Sequence, residues 1–194
     1  MGGCVEEKKV IETLRGKYQG MTAWIVGKGP SLKYLRASHF GTGPVITINE
    51  SILIVQELGL LNPIYSMQKD GSHGIGKAVY PHAEIQVILQ RPGYSEKDLP
   101  DHPKRMWFSP KDFGFLHTEM SVRLCVGIAK LMGCTKVVFV CCDSLVNGDV
   151  RRLDVENNKI VDANANAYLF VKPRVLDDVK DMQPVFLLPK ESDV

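Results

Sequence analysis

Apolar and polar residues alternate in blocks along the chain, and these blocks predict strands separated by helices. Short apolar runs rich in β-branched residues are typical of parallel strands that are buried on both faces. The runs cover residues 23–26, 45–49, 63–67, 84–89, 105–108, 136–142 and 184–188. Strands that alternate with helices predict an α/β fold, Rossmann-like and doubly wound, with a mostly parallel sheet and helices on both faces.

Helical periodicity appears between these runs. Residues 6–18 predict an amphipathic helix within an N-terminal segment, 1–20. Residues 120–132 are apolar on nearly all sides, which predicts a buried helix that ends at Gly133. Residues 52–58 predict another helix. Residues 168–181 predict one that is interrupted at Pro173, which is a candidate first-turn residue of a separate helix. The polar stretch 151–166 predicts an exposed excursion, either a hairpin or a lid.

The first strand is followed by a loop that contains Gly27, Gly29, Pro30 and Ser31. Two glycines allow a sharp turn and predict amide N–H groups free to bind a phosphate, while Ser31 would cap the next helix. The loop lacks the closing Gly-Lys-Ser/Thr of a Walker motif and the third glycine of a dinucleotide fingerprint. A tight strand-to-helix turn without a ligand is therefore the alternative interpretation.

Polar side chains also follow other predicted strands. Asn49, Glu50 and Ser51 follow the second strand. Helix capping is the alternative role for Asn49 and Ser51. Asp70 and His73 follow the third strand, where a surface turn is the alternative. Asp143 and Ser144 follow the strand at 136–142. Because the carboxyl ends of parallel strands share one edge, these residues predict a crevice for a nucleotide or nucleotide-sugar.

Composition narrows the class of protein. The chain has 194 residues and a net charge of +2, so we expect one domain and no nucleic-acid partner. No apolar run is long enough to span a bilayer and no secretory signal is evident, so we expect a cytoplasmic protein. Five cysteines without metal-ligand spacing predict buried, reduced thiols and no metal site.

The segment Gly-Lys-Gly-Pro-Ser-Leu at residues 27–32 resembles the signature of bacterial sialyltransferases of glycosyltransferase family 42. It is also similar to related flagellin-modification proteins, archaeal hydroxymethylpterin pyrophosphokinases and small members often carried by bacteriophages. Asn49, a Thr118-headed apolar helix and Asp143 are similar to further parts of that pattern. The resemblance implies a Rossmann-like fold and a CMP-sugar donor, used without metal or other cofactor. It also implies that Ser31, Asn49, Thr118 and Ser121 hold the donor.

The same resemblance implies transfer of the sugar to an acceptor hydroxyl, with the acceptor unknown. These sialyltransferases carry a catalytic His in the segment before the final helix, and here no His follows His117. The candidate general bases are therefore His117 and His73.

Two alternatives stay open. A pyrophosphokinase-type enzyme would use ATP and magnesium, with Asp70 and Asp143 as candidate metal ligands. A non-catalytic module would bind a nucleotide without turning it over. The apolar helix near Met120 and the excursion at 151–166 are each candidate surfaces for a homo-oligomer.

Overall fold

The computed structural model describes residues 11–68, 86–90, 105–108, 111, 120–162 and 171–193. Its strands are β1 Thr22–Val26, β2 Val45–Ile48, β3 Ile64–Gln68, β4 Gln86–Gln90, β5 Arg105–Phe108, β6 Lys136–Val140, β7 Arg152–Asp154, β8 Lys159–Val161 and β9 Gln183–Leu187. Seven of them form one sheet in the order β5-β4-β3-β2-β1-β6-β9, and every neighbouring pair is parallel. The other two, β7 and β8, form an antiparallel hairpin.

The α-helices of the described ranges lie between the strands: α1 Ile52–Val55, α2 Ser121–Leu131, α3 Asp143–Val146 and α4 Val171–Asp178. Short 3-10 helices cover Ile11–Leu14, Pro30–Tyr34, Ala37–His39, Asn49–Ser51, Gln56–Leu58 and Glu191–Asp193. Within the described ranges, no helix combines the length and apolar character needed to cross a membrane.

The two faces of the sheet carry separate apolar clusters, because successive strand residues point to opposite sides. In β1, Ala23 and Ile25 belong to one cluster, and Trp24 and Val26 to the other. The first cluster includes residues of α2 and α4, and the second includes Val55 of α1 and Leu32 and Leu35 beside the glycine loop. This arrangement confirms the predicted α/β fold with helices on both faces.

The order of the strands reverses between β1 and β6. From β1 the chain builds outward to β5, and it then returns to place β6 on the other side of β1. Val26 and Val140, the last residues of these two strands, are in register. In doubly wound sheets, such a switch point opens a crevice beyond the carboxyl ends of the strands, where ligands bind.

Two predicted elements differ from those observed, and the predicted position of Pro173 in a first turn is confirmed. In the described part of the predicted helix 6–18, only one 3-10 turn forms, Ile11–Leu14, and turns follow in which Gly16 and Gly20 have φ of 67° and 77°. Pro173 is the third residue of α4, which agrees with its predicted role as a first-turn residue of a separate helix, where a missing N–H costs no intrahelical bond. The strand predicted over 136–142 ends at Val140, since Cys141 has a φ of 55°.

The excursion predicted at 151–166 is a hairpin over its described part. Its strands β7 and β8 are joined through Asn157 and Asn158, and Asn158 has a φ of 50°. The hairpin is not fully exposed, because Leu153 is buried in the cluster that contains Leu32. The hairpin therefore packs on the body of the domain beside the glycine loop. The four described cysteines are free and buried, as predicted.

Candidate functional site

The ends of β1 and β6 are joined by Ser31 and Asp143. The Ser31 hydroxyl donates to Asp143 Oδ2 over 2.7 Å, and the Ser31 amide donates to Oδ1 over 3.3 Å. Both side chains are buried. Ser31 is the second residue of the 3-10 helix that begins at Pro30, and its hydroxyl does not cap that helix. The predicted capping role of Ser31 is therefore wrong, because the hydroxyl donates its hydrogen bond to the carboxylate of Asp143, which follows β6.

Gly27 and Gly29 are required by the close approach of the same two strand ends. A Cβ added to Gly27 would lie 2.6 Å from the Cys141 carbonyl oxygen, and one added to Gly29 would lie 2.5 Å from Asp143 Cγ. Gly29 has an extended backbone, with φ −65° and ψ 169°, so space and not backbone freedom excludes a side chain there.

The amide groups of both loop glycines already have acceptors, so the predicted cradle of bare glycine amides is wrong. Gly27 N–H donates to the Val140 carbonyl over 2.8 Å, and Gly29 N–H donates to the Cys141 carbonyl over 2.9 Å. Leu32 N–H donates back to Gly29. The two glycine amides thus bind carbonyl groups at and just beyond the end of β6. An anion in this crevice must therefore bind donors other than these two amides.

The end of β2 contributes a second polar group. Ser51 Oγ accepts the Ile48 N–H over 2.9 Å and donates to the Val26 carbonyl over 3.0 Å, which ties β2 to β1. Lys28 and Glu50 form an ion pair of 2.5 Å, with only 15% and 14% of their side chains exposed. Asn49 has a φ of 49°, and its carbonyl accepts a hydrogen bond from Gln68.

A cavity of about 220 Å³ lies at this edge of the sheet. Its wall is formed by the ends of β1, β2 and β6, by the first turn of α2, by Val171 of α4 and by the segment that leads into β7. The lining residues are Gly27, Lys28, Gly29, Ile48, Asn49, Met120, Ser121, Val122, Cys141, Cys142, Asp143, Ser144, Leu145, Asp149, Val150, Arg151, Arg152 and Val171. The sheet's switch point is thus a concave site with polar groups on several sides.

The first turn of α2 supplies donors that the glycine loop lacks. Amides in the first turn of a helix have no intrahelical acceptor, and the helix dipole favours negative charge there. Ser121 and Val122 are the first two residues of this 11-residue helix, and both line the cavity. An ion pair between Arg123, the third residue of α2, and Asp178 of α4 joins the two helices.

The ionisable side chains that line the cavity have pKa values shifted in different directions. Burial raises the pKa of the Asp143 carboxyl, although the hydrogen bonds from Ser31 oppose this shift. The hydrogen bond from Arg151 holds the pKa of Asp149 below its usual value, and the two side chains form an ion pair of 2.7 Å. Burial also raises the pKa of the Cys142 thiol to about 12, so this cavity-lining cysteine is a weak nucleophile at neutral pH.

Several residues predicted for the site from sequence come together in the structure. Those that line the cavity are Gly27, Gly29, Asn49, Ser121, Asp143 and Ser144. Pro30 begins the 3-10 helix, Ser31 supports Asp143 and Glu50 pairs with Lys28, so these three lie next to the cavity. Asp70, His73, His117 and Thr118 lie outside the described residues.

Sequence reasoning missed four charged or polar positions on the wall: Lys28, Asp149, Arg151 and Arg152. Lys28 lies inside the Gly-x-Gly-Pro-Ser-Leu motif, but it occupies the position x, for which the motif specifies no residue type. The other three belong to a polar stretch whose composition predicts solvent exposure. Only the fold of the hairpin beside β1 brings them to the crevice.

Comparison with known proteins adds no family to this picture. No protein-family model matches the chain, and no curated protein matches it. The resemblance to sialyltransferases, carried by the glycine loop, stays a prediction.

Proposed function

We propose that this protein binds a nucleotide, carried as a nucleotide-sugar such as a CMP-sugar, in the crevice between β1 and β6. The observation that carries the proposal is the position of the 220 Å³ cavity at the sheet's switch point, with the first turn of α2 in its wall. Open α/β sheets bind their ligands at such points. The proposed activity is metal-independent transfer of the sugar to an acceptor hydroxyl.

The phosphate is assigned to the α2 side of the crevice. The amides of Gly27, Gly29 and Ser31 already have acceptors, whereas Ser121 and Val122 open an α-helix at the cavity. Lys28, Arg151 and Arg152 are cationic residues that also line the cavity. A phosphate next to a helix N-terminus and arginine side chains is stabilised by both the dipole and charge-assisted hydrogen bonds.

The nucleoside is assigned to the ends of β2 and β6. Asn49, Asp143 and Ser144 line this part of the wall and present amide, carboxylate and hydroxyl groups. A carboxylate has about four acceptor positions, and Ser31 uses two of those on Asp143. The remaining capacity of Asp143 suits ribose hydroxyls or a base amino group.

The surroundings of Asp143 favour a reaction without magnesium. Its two oxygens each accept a hydrogen bond from Ser31, and burial favours the neutral form of its carboxyl. Magnesium prefers ionised carboxylates that keep several waters around the ion. The general base of the proposed transfer is His117 or His73, and a protein that lacks a working base would bind the nucleotide without turnover.

Calorimetric titration with CMP, UDP, ADP and ATP, each with magnesium or with EDTA, tests the proposal. We expect CMP to bind equally in both conditions. ATP binding that requires magnesium would instead support the pyrophosphokinase-type alternative. Binding of none of the four nucleotides would contradict the proposed function. If CMP binds, release of CMP from a CMP-sugar, with and without candidate acceptors, separates an enzyme from a binding module.

A further inference from the structure

The β7–β8 hairpin is fixed to the glycine loop by its backbone. Leu153 N–H donates to the Lys28 carbonyl over 2.7 Å, and the Leu153 side chain is only 3% exposed among the apolar residues beside that loop. Arg152 immediately precedes this anchor and lines the cavity. The backbone of Arg152 is therefore held beside the crevice before any ligand arrives.

Arg152 differs from the other two cations on the cavity wall. Lys28 is paired with Glu50, and Arg151 is paired with Asp149. Among the residues that the structure describes, no carboxylate lies within ion-pair distance of Arg152. The nearby Asp154 accepts hydrogen bonds from the backbone and side chain of Asn157. These bonds, and to a smaller extent the positive charge of Arg152, hold the pKa of Asp154 below its usual value, so Asp154 is an electrostatic neighbour of Arg152 but not an ion-pair partner.

We propose that the hairpin is an anion-binding strap and that Arg152 binds the phosphate of the nucleotide in the cavity that the first turn of α2 also lines. This inference rests on the proposed function and specifies which residue recognises the anionic part of the ligand. A guanidinium group presents two parallel N–H donors that match two phosphate oxygens. Because the exposed Arg152 side chain forms no ion pair with a described carboxylate, it keeps that capacity for a ligand.

The test compares Arg152→Ala with Lys159→Ala, which removes an equal charge from the neighbouring strand β8. Both proteins and the wild type are titrated with CMP, with cytidine and with inorganic pyrophosphate. Arg152→Ala should weaken binding of CMP and pyrophosphate by about ten- to one-hundred-fold, because a charge-assisted contact is lost. Cytidine binding should be unchanged, and Lys159→Ala should alter CMP affinity by less than about twofold.

Arg152→Lys provides a second readout, since it keeps the charge and removes the bidentate geometry. We expect it to recover only part of the lost affinity, and we expect Arg152→Ala to flatten the salt dependence of CMP binding. Unchanged CMP affinity in Arg152→Ala, or an equal loss in Lys159→Ala, would overturn the strap while leaving the proposed function in place. Failure of CMP and pyrophosphate to bind the wild type would overturn both. Circular dichroism of each variant verifies that it is folded.

Discussion

The Ser31 hydroxyl lies 2.7 Å from Oδ2 of Asp143, and this contact between residues 112 positions apart joins the segments that follow two adjacent strands. The carboxylate fills the space that a side chain at position 29 would need. The same carboxylate forms part of the cavity wall. The glycine motif and the polar residues that follow β6 therefore form one structural unit, which makes up part of the wall of the candidate site.

Removal of the Ser31 hydroxyl should destabilise the fold. In Ser31→Ala, the buried Asp143 carboxylate loses its shorter hydrogen bond, and we expect the free energy of unfolding to fall by about 1–3 kcal/mol. Urea denaturation of the variant and the wild type measures this loss. Ser144→Ala removes the adjacent hydroxyl on the β6 side and serves as the control. Equal stability of Ser31→Ala and the wild type would contradict the assigned contact.

The raised pKa of Asp143 predicts a sign for the pH dependence of stability. Since the folded chain holds this proton more tightly than the unfolded chain, the contribution of Asp143 is fully present below the ordinary pKa of 3.8. It is lost as the pH rises through the raised value. The stability of Asp143→Asn relative to the wild type should therefore increase as the pH rises from about 4 to 7.

Urea denaturation across this pH range checks that prediction. Asp181→Asn is a control of opposite sign, because a hydrogen bond from Lys130 lowers the pKa of the exposed Asp181. A lowered pKa gives stability that is lost as the pH falls, so this variant should lose stability relative to the wild type as the pH rises. A difference between Asp143→Asn and the wild type that is flat or falls with pH would refute the assignment.

A methyl group at position 29 should disrupt the site. In Gly29→Ala, the new Cβ overlaps with the Asp143 carboxylate, and we expect a loss of about 1–3 kcal/mol in the free energy of unfolding. The double variant with Asp143→Ala removes the two closest overlaps, so the two losses should be less than additive. Gly41→Ala is the matched control, because its added Cβ would lie 3.1 Å from a side-chain atom of Trp24. Strictly additive losses would contradict the overlap.

The ion pair between Lys28 and Glu50 predicts coupling across the ends of β1 and β2. Lys28→Met leaves a largely buried carboxylate unpaired, and we expect a loss of about 1–3 kcal/mol. Replacement of both residues by methionine should cost less than the sum of the two single changes. A double-mutant cycle by urea denaturation measures this coupling. A coupling energy near zero would show that the pair does not contribute to stability.

The strands were predictable because each is an apolar run that can be recognised from its own residues, without knowledge of its neighbours in the fold. Residues 23–26, 63–67 and 105–108 match their observed strands to within one residue at each end. The first helix was not predictable in the same way. Ile11 and Leu14 are buried as their spacing indicates, but glycines at 16 and 20 adopt positive φ and stop a helix from continuing.

The site was predictable only where its residues follow a strand directly. Asn49, Asp143 and the two loop glycines could be located because the carboxyl ends of parallel strands share an edge. The use of the loop amides by β6 could not be foreseen, since it depends on the register between strands distant in sequence. Arg152 was missed because hydrophilic composition does not reveal which surface of a hairpin faces a cavity.

The location of nucleotide binding tests the central claim most directly. A titration of isotopically labelled protein with CMP in EDTA, followed by amide resonances, maps the residues that respond. We predict that the largest shifts belong to residues 27–29, 121–122, 141–144 and 151–152, at the carboxyl ends of β1 and β6. Shifts concentrated at the opposite edge of the sheet, around Thr22, Lys136 and Gln183, or no shifts at all, would contradict the account.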